Sequence, residues 1–225
     1  MTAARLRRAS LDDLPGIVAV KEALRISRGD AGARGGFLLG CSAERYAFLI
    51  DAGNLLVLES DRRLAGFAAS LPDALLRASD LWARRHAIRW DEGEGEPPEG
   101  ARIAYFDQLA LAPWAPRQHA APLAIATLRG LAESGHDHLY ATTIEAPVRN
   151  SASMPLLRAF GARPVGLVEE EVEGIGPIVS RLHHADMEAG MAKVIETAAG
   201  ARAFAAASRL AAEATPQRQA DFSFA

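Results

Sequence analysis

Arg117, Gln118 and His119 form a short polar stretch between an apolar strand candidate at 102–112 and an apolar helix candidate at about 121–134. A loop leading from a strand into a helix N-terminus is a natural anion site. Free N–H groups and the positive end of the helix dipole meet there. Arg117 offers a guanidinium to a phosphate, and a protonated His119 offers a further donor. The competing reading is a solvated loop. Glycine usually lets a backbone approach a pyrophosphate closely, yet the run from Pro116 to Pro122 contains none.

Other chemistry is poorly served. His136 and His138 flank Asp137, but no further metal ligand is evident, so this stretch reads as a loop entering a strand and no metal is expected. His183-His184 makes no better cluster. The single Cys41 excludes an internal disulfide and a Cys-based zinc site. It falls in a loop candidate and is no convincing nucleophile. Gly-x-Ser-x-Gly, His-Glu-x-x-His and Walker patterns are absent. The acidic run DEGEGEPPEG (91–100) reads as a mobile loop. It either attracts a cationic group or is simply a solvated insert.

These residues need a scaffold, and the composition allows one. The 225 residues are 49% hydrophobic with net charge −3, enough for a sizeable core. No Lys/Arg run marks a nucleic-acid partner. No N-terminal apolar run suggests a signal peptide or membrane span, so the expectation is a soluble cytoplasmic protein. Strand candidates lie at 4–9, 55–60, 64–71, 102–112, 138–146, 163–173 and 176–184. Ser10 caps a first helix candidate reaching about residue 25, and Ser42 caps a second through Ile50. An Arg-rich helix candidate covers 75–90 and ends at Trp90. Further helices are predicted at 121–134 and about 152–160. Met187, Met191, Val194, Ile195 and Ala198 then share one helical face, followed by an Ala-rich run with high helix propensity. The order β-α-α-β-β-insert-β-α-β-α-β-β predicts an α/β (α+β) fold, a mixed sheet with helices on its faces.

Two segments carry a resemblance to a known family. FDQLALAP (106–113) resembles the fourth strand of the GNAT superfamily (GCN5-related N-acetyltransferases), with its acidic residue, apolar alternation and closing Pro. NSASMPLLRAFGARPVG (150–166) resembles the family's Asn-x-x-Ala/Ser…Gly-Phe signature, with Asn150, Ser153, Leu156 and Gly161 at matching offsets. Weaker likeness runs from Arg5 to about His184. The resemblance implies a mostly antiparallel central sheet of about six to seven strands. It divides the chain into a GNAT-like domain at 1–185, with an insert at 73–101, and a C-terminal helical extension with a polar tail at 186–225.

The same resemblance implies a reaction and the residues that carry it. The co-substrate is acetyl-CoA or another acyl-CoA, and the acceptor is a small-molecule or peptide amine. The amine attacks the thioester directly in a ternary complex. Asp107 is the candidate base, against the reading of a strand Asp paired with a nearby Arg. Gln108 is expected on the opposite face, because strand residues alternate. Backbone N–H groups near Leu109, Ala110 and Leu111 polarise the thioester and hold the pantetheine arm. Tyr140 is a candidate acid, against a partly buried core Tyr. The phosphate loop falls on Arg117, Gln118, His119, Ala120 and Ala121. Asn150 and Ser153 contact the cofactor, or else are a loop residue and a helix cap.

The chain departs from the family in two places. The family's loop is Arg/Gln-x-x-Gly-x-Gly/Ala. Counted from Pro113, its positions fall on Pro116, His119 and Ala121, or with a one-residue shift on Arg117, Ala120 and Pro122. Leu157 stands where many members carry a Tyr that protonates the departing thiolate. These departures motivate a second expectation: a GNAT-like binding module that has lost acyl transfer and pairs with a partner or a second copy through its C-terminal helix. A third is a different acyl donor or carrier. Acceptor specificity is expected in the 26–40 loop and the 73–101 insert.

Overall fold

The computed structural model describes residues 4–26, 36–39, 42–172 and 175–212. Cys41 and most of the 26–40 loop lie outside the described residues, as does the polar tail.

Eight strands form one sheet among the described residues, in the order β1-β2-β3-β5-β6-β8-β7-β4. They are β1 (Arg5–Arg8), β2 (Leu55–Ser60), β3 (Arg63–Leu71), β4 (Arg89–Trp90), β5 (Ile103–Leu111), β6 (His138–Ala146), β7 (Arg163–Val172) and β8 (Gly176–Asp186). Every neighbouring pair is antiparallel except β5 and β6. A parallel pair needs a crossover, and α5 (Ala120–Glu133) supplies it. The β2–β3 hairpin turns on Asp61 and Arg62, at φ 52° and 59°. Two successive positive φ values suit the right-handed twist of a tight hairpin.

The eighth strand is the one that sequence pattern misplaces. A single helix over 75–90 does not form. The segment is instead α3 (Asp73–Arg77), α4 (Asp80–Ala83), a 3-10 turn at Arg84–Ala87, and β4. Ser79 divides it, donating to the Leu76 carbonyl at 2.6 Å and accepting from the Trp82 N–H at 3.3 Å. Trp90 then pairs with Gly166 on β7. The acidic run after it is tied down: Asp91 bonds Arg181 at 3.1 Å, and Glu94 pairs with Arg163.

The helices divide between two faces. Arg7 reaches Asp13 in the turn before α1 (Leu14–Ala23), and Phe67 packs edge-on to Tyr46 of α2 (Ala43–Asp51). Residues of opposite parity, Leu6 and Leu56, face α5 across a groove. The C-terminal stretch is two helices, α7 (Met187–Glu196) and α8 (Ala198–Ala212), with α6 (Met154–Ala159) nearby. The break falls at Thr197, which leaves helical geometry at ψ 141° and accepts from the Gly200 N–H at 2.9 Å. α8 packs on α5, so α5 is buried on most of its circumference. Met187 and Val194 of α7 are buried, Gly190 lies against the Phe160 ring, and Ile195 is 48% exposed. Among the described residues no helix is long and apolar enough to cross a membrane.

Candidate active site

β5 and β6 run side by side for only three residue pairs. The register holds Ile103 to His138, Ala104 to Leu139 and Tyr105 to Tyr140. Both strands then continue, β5 to Leu111 and β6 to Ala146, with no further pairing between them. Backbone groups along the inner edge of such a fork are left for a ligand or water. Leu109, Ala110 and Leu111 line the β5 arm, each still paired on its other edge to β3.

A bulge just beyond the fork apex decides which side chains meet. Ser70 opposes Phe106 and Ala69 opposes Gln108, so Asp107 is the extra residue. An extra residue upsets the alternation of faces. Asp107 and Gln108 therefore both point towards α1 and α2, which corrects the expectation that Gln108 faces away. The Asp107 side chain is 15% exposed and accepts from Arg45 of α2 at 3.4 Å. It also accepts from the Gln108 amide at 3.3 Å. The Gln108 oxygen in turn takes the Tyr46 hydroxyl at 2.8 Å and the Lys21 ammonium at 3.3 Å. Those two donors fix the amide so that its N–H₂ end faces Asp107. Nothing in the sequence separates the bulge from a regular strand, and this network depends on it.

Tyr105 and Tyr140 close the apex on the same face. The Tyr105 hydroxyl bonds Thr142 Oγ1 at 2.5 Å, spanning the point where the strands part. Burial and the Asp107 charge push its pKa upwards. The Tyr140 phenol is pushed up to about 12 by burial, and its ring packs 4.9 Å from His184. His184 is lowered to about 4 by burial, with His138 and Arg163 adding to the shift and Asp186 opposing it. His138 bonds His184 at 3.1 Å. His136 is buried, bonded to the Leu131 carbonyl and to the Asp73 N–H. Among the described residues no group of three or more His, Cys, Asp or Glu is arranged to hold a metal ion.

The entry to α5 takes a path that needs no glycine conformation. Positive φ occurs among the described non-glycine residues only at Asp61 and Arg62, so the stretch from Pro113 to Ala121 stays in ordinary backbone regions. Pro116 starts a 3-10 turn at Arg117–His119, which runs into α5 at Ala120. The His119 and Ala120 N–H groups bond back to Pro116 and Arg117. Those of Arg117 and Gln118 have no backbone partner among the described residues. The Arg117 and Gln118 side chains are exposed, and His119, Ala120 and Ala121 half-buried. Pro122 is the third helical residue, still in the first turn, where a missing N–H costs little.

Asn150 has local work. Its N–H bonds the Ile144 carbonyl at 2.8 Å, its Oδ1 accepts from the Ala152 N–H at 3.2 Å, and its Nδ2 reaches Gly36 at 3.5 Å. Ser153 sits at the start of α6 without a side-chain cap bond. Leu157 is buried in α6 and supplies no hydroxyl.

No family model matches the chain, and no curated protein matches it by sequence. Many solved structures match its fold. An N-acetyltransferase from Staphylococcus aureus Mu50 has 14% identity, covers 83% of this chain and 99% of its own, and gives a TM-score of 0.53. Salmonella typhimurium yncA, solved with its cofactor acetyl-CoA, has 13% identity over 83% of this chain and 95% of its own, with a TM-score of 0.51. Arabidopsis thaliana Naa50, in complex with the bisubstrate analogue CoA-Ac-MVNAL, has 14% identity over 82% and 99%, with a TM-score of 0.52. The chain has the GNAT fold.

Proposed function

We propose that the protein is an acyl-CoA-dependent N-acyltransferase, most simply an acetyltransferase. The observation carrying this reading is the β5–β6 fork with Asp107 bulged out at its apex. Three independent requirements of acyl transfer can be assigned to this fork and to the turn that follows β5. A thioester needs backbone donors at its carbonyl oxygen, and the open edge of β5 near Leu109 to Leu111 supplies candidates. An attacking amine must lose a proton, and Asp107 stands on the α1–α2 face as the acceptor. A nucleotide pyrophosphate needs N–H donors and positive charge, and the Arg117–Gln118 turn offers both.

In this reading the donor enters from the α5 side and the amine from the α1–α2 side. The amine nitrogen forms the amide bond, the C–S bond breaks, and the amine proton passes to Asp107 directly or through water. The Tyr140 phenol stays protonated and gives a hydrogen bond to the departing sulfur. Its pKa near 12 lies well above the ~8.5 of a thiol, so water supplies the proton. Asn150 and Ser153 flank the β6 arm of the fork as cofactor contacts. The unpaired β5 edge, which a thioester and pantetheine arm would use, supports an active enzyme over a binding module.

The test is a thermal shift with acetyl-CoA and with CoA, followed by thiol release over an amine panel. Stabilisation by both, with thiol release in the presence of an amine, is expected. No shift at millimolar cofactor would sink the proposal.

A further inference from the structure

Asp107 and Arg45 present opposite charges side by side just beyond the fork apex. Arg45 Nη2 lies 3.4 Å from Asp107 Oδ2. That contact uses up neither group. Asp107 takes both of its hydrogen bonds, from Arg45 and from Gln108, on Oδ2, so Oδ1 has no partner among the described residues. The Arg45 side chain makes only this one bond among the described residues, which leaves most of its N–H donors open. The Arg45 side chain is half-exposed and that of Asp107 mostly buried. Both charges reach the apex: burial and then Asp107 raise the Tyr105 phenol, while the Thr142 bond and Arg45 act the other way.

The pair has little to do as a strut. An exposed ion pair contributes little to stability, and Asp107 is already held by the Gln108 amide, which Tyr46 and Lys21 fix. Its effect on an incoming amine is larger. A plain amine arrives as an ammonium and meets the Arg45 charge beside the carboxylate that must take its proton. Like charges that close repel, and Arg45 also weakens Asp107 as a base. A carboxylate on the acceptor offsets both effects. It pairs with the open Arg45 donors and draws the guanidinium charge away from Asp107. The spacing decides where that carboxylate sits. In an α-amino acid the nitrogen and the nearer carboxylate oxygen are about 3 Å apart, which matches the 3.4 Å between the Arg45 and Asp107 atoms.

We propose that the acceptor is a free α-amino acid, with its nitrogen at Asp107 Oδ1 and its carboxylate on Arg45. This rests on the acyltransferase reading and names its substrate class. Arg45 then selects free amino acids over peptide N-termini and simple amines, partly by repelling an acceptor that brings no anion. In the transfer the N–C bond forms, the C–S bond breaks, and the amine proton passes to Asp107. The products are an N-acyl amino acid and CoA, whose sulfur takes its proton from water.

Two measurements on the full chain test this. The first is thiol release from acetyl-CoA over the standard L-amino acids, their carboxamides and their decarboxylated amines. At least one free amino acid should exceed its own amide and amine by about tenfold in kcat/KM, the worth of a charge-assisted bond to the carboxylate. Arg45→Gln should bring that ratio towards one through KM, and Arg45→Lys, which keeps the charge, should retain part of it. Both variants should keep the acetyl-CoA thermal shift, which also shows that they fold. Amides and amines reacting as well as the acids overturn the proposal and leave the acyltransferase reading standing; no release with any amine overturns both. An Arg45→Gln loss equal for acids and amines makes Arg45 a support for Asp107 and refutes the selection. The second is calorimetry of the preferred amino acid with CoA present, which reads binding without turnover. Binding that Arg45→Gln weakens by about tenfold supports the proposal, and binding indifferent to Arg45 overturns it.

Discussion

The Tyr105–Thr142 hydroxyl pair joins β5 to β6 where the two strands separate, so its removal measures how the fork apex is held. The bond is 2.5 Å long, and Tyr105 is 7% exposed. A neutral hydrogen bond contributes about 1 kcal/mol net, and a partner orphaned by burial costs ~1–3 kcal/mol. Tyr105→Phe removes one hydroxyl and orphans the Thr142 oxygen, for an expected loss of about 2 kcal/mol. Thr142→Val orphans the more deeply buried phenol, for a similar loss. The double variant leaves no orphan, so it should cost about as much as one single variant, a coupling of ~1–2 kcal/mol. In a chain of this length each kcal/mol moves the melting temperature by about 2–4 °C. Urea denaturation followed by circular dichroism, with the four proteins side by side, gives the cycle directly. Simple additivity of the two single losses would refute the claim that this bond ties the strands at the apex.

The same geometry sets three further outcomes. Asp107→Asn should lower kcat by ~10²–10⁴-fold, the range for removing a general base, with the acetyl-CoA thermal shift unchanged; thiol-release kinetics on the variant decide it. Arg117→Ala should weaken acetyl-CoA binding by about tenfold, the loss of one charge-assisted hydrogen bond to a phosphate; calorimetry giving an unchanged Kd would make Arg117 a solvated loop residue. The third concerns acid stability. His184 is lowered to about 4 in the fold against ~6.5 unfolded, so between those values the unfolded chain binds the extra proton. Stability should therefore be present above pH 6.5 and fall as the pH drops towards 4. His184→Gln should flatten that part of a melting-temperature series.

Much of the fold is written locally. Short apolar runs mark β2, β3 and β5, alternation marks β6, and Ser42 caps α2 by accepting from the Arg45 N–H at 3.2 Å. Helix periodicity finds α5 for the same reason: its signal lies within a few turns. What the sequence hides is what depends on distant partners. β4 is two residues long and exists because β7 offers Gly166 a close approach, where a Cβ would sit 3.0 Å from the Arg89 carbonyl. The α7 apolar stripe looks available to a partner until Phe160, thirty residues earlier in the chain, is placed against Gly190. The Asp107 bulge is a mismatch in register between β3 and β5, and no single strand records it.

The glycine-free turn shows how such hidden geometry changes a functional argument. Glycine serves a phosphate loop in two ways: it permits positive φ, and it permits close approach. The first need is absent here, since the turn from Pro116 to Ala120 uses ordinary backbone throughout. The second is relieved by the 3-10 turn. It moves the unpaired N–H groups back to Arg117 and Gln118, ahead of the α5 barrel. Their Cβ atoms lie on exposed residues rather than in a packed interior, so an anion can meet the two N–H groups and the Arg117 guanidinium from solvent. The presence of Ala and His in place of glycine then bears on how deeply a pyrophosphate would be cradled, while the fork proposed to receive the thioester depends on none of these residues. An enzyme built this way should hold its cofactor mainly along β5 and less at the phosphates. That makes the affinity ratio of acetyl-CoA to its dephosphorylated pantetheine fragment the sharpest single number to obtain: a ratio near the tenfold expected of Arg117 alone fits β5-dominated binding, and a much larger ratio restores the loop to its usual weight.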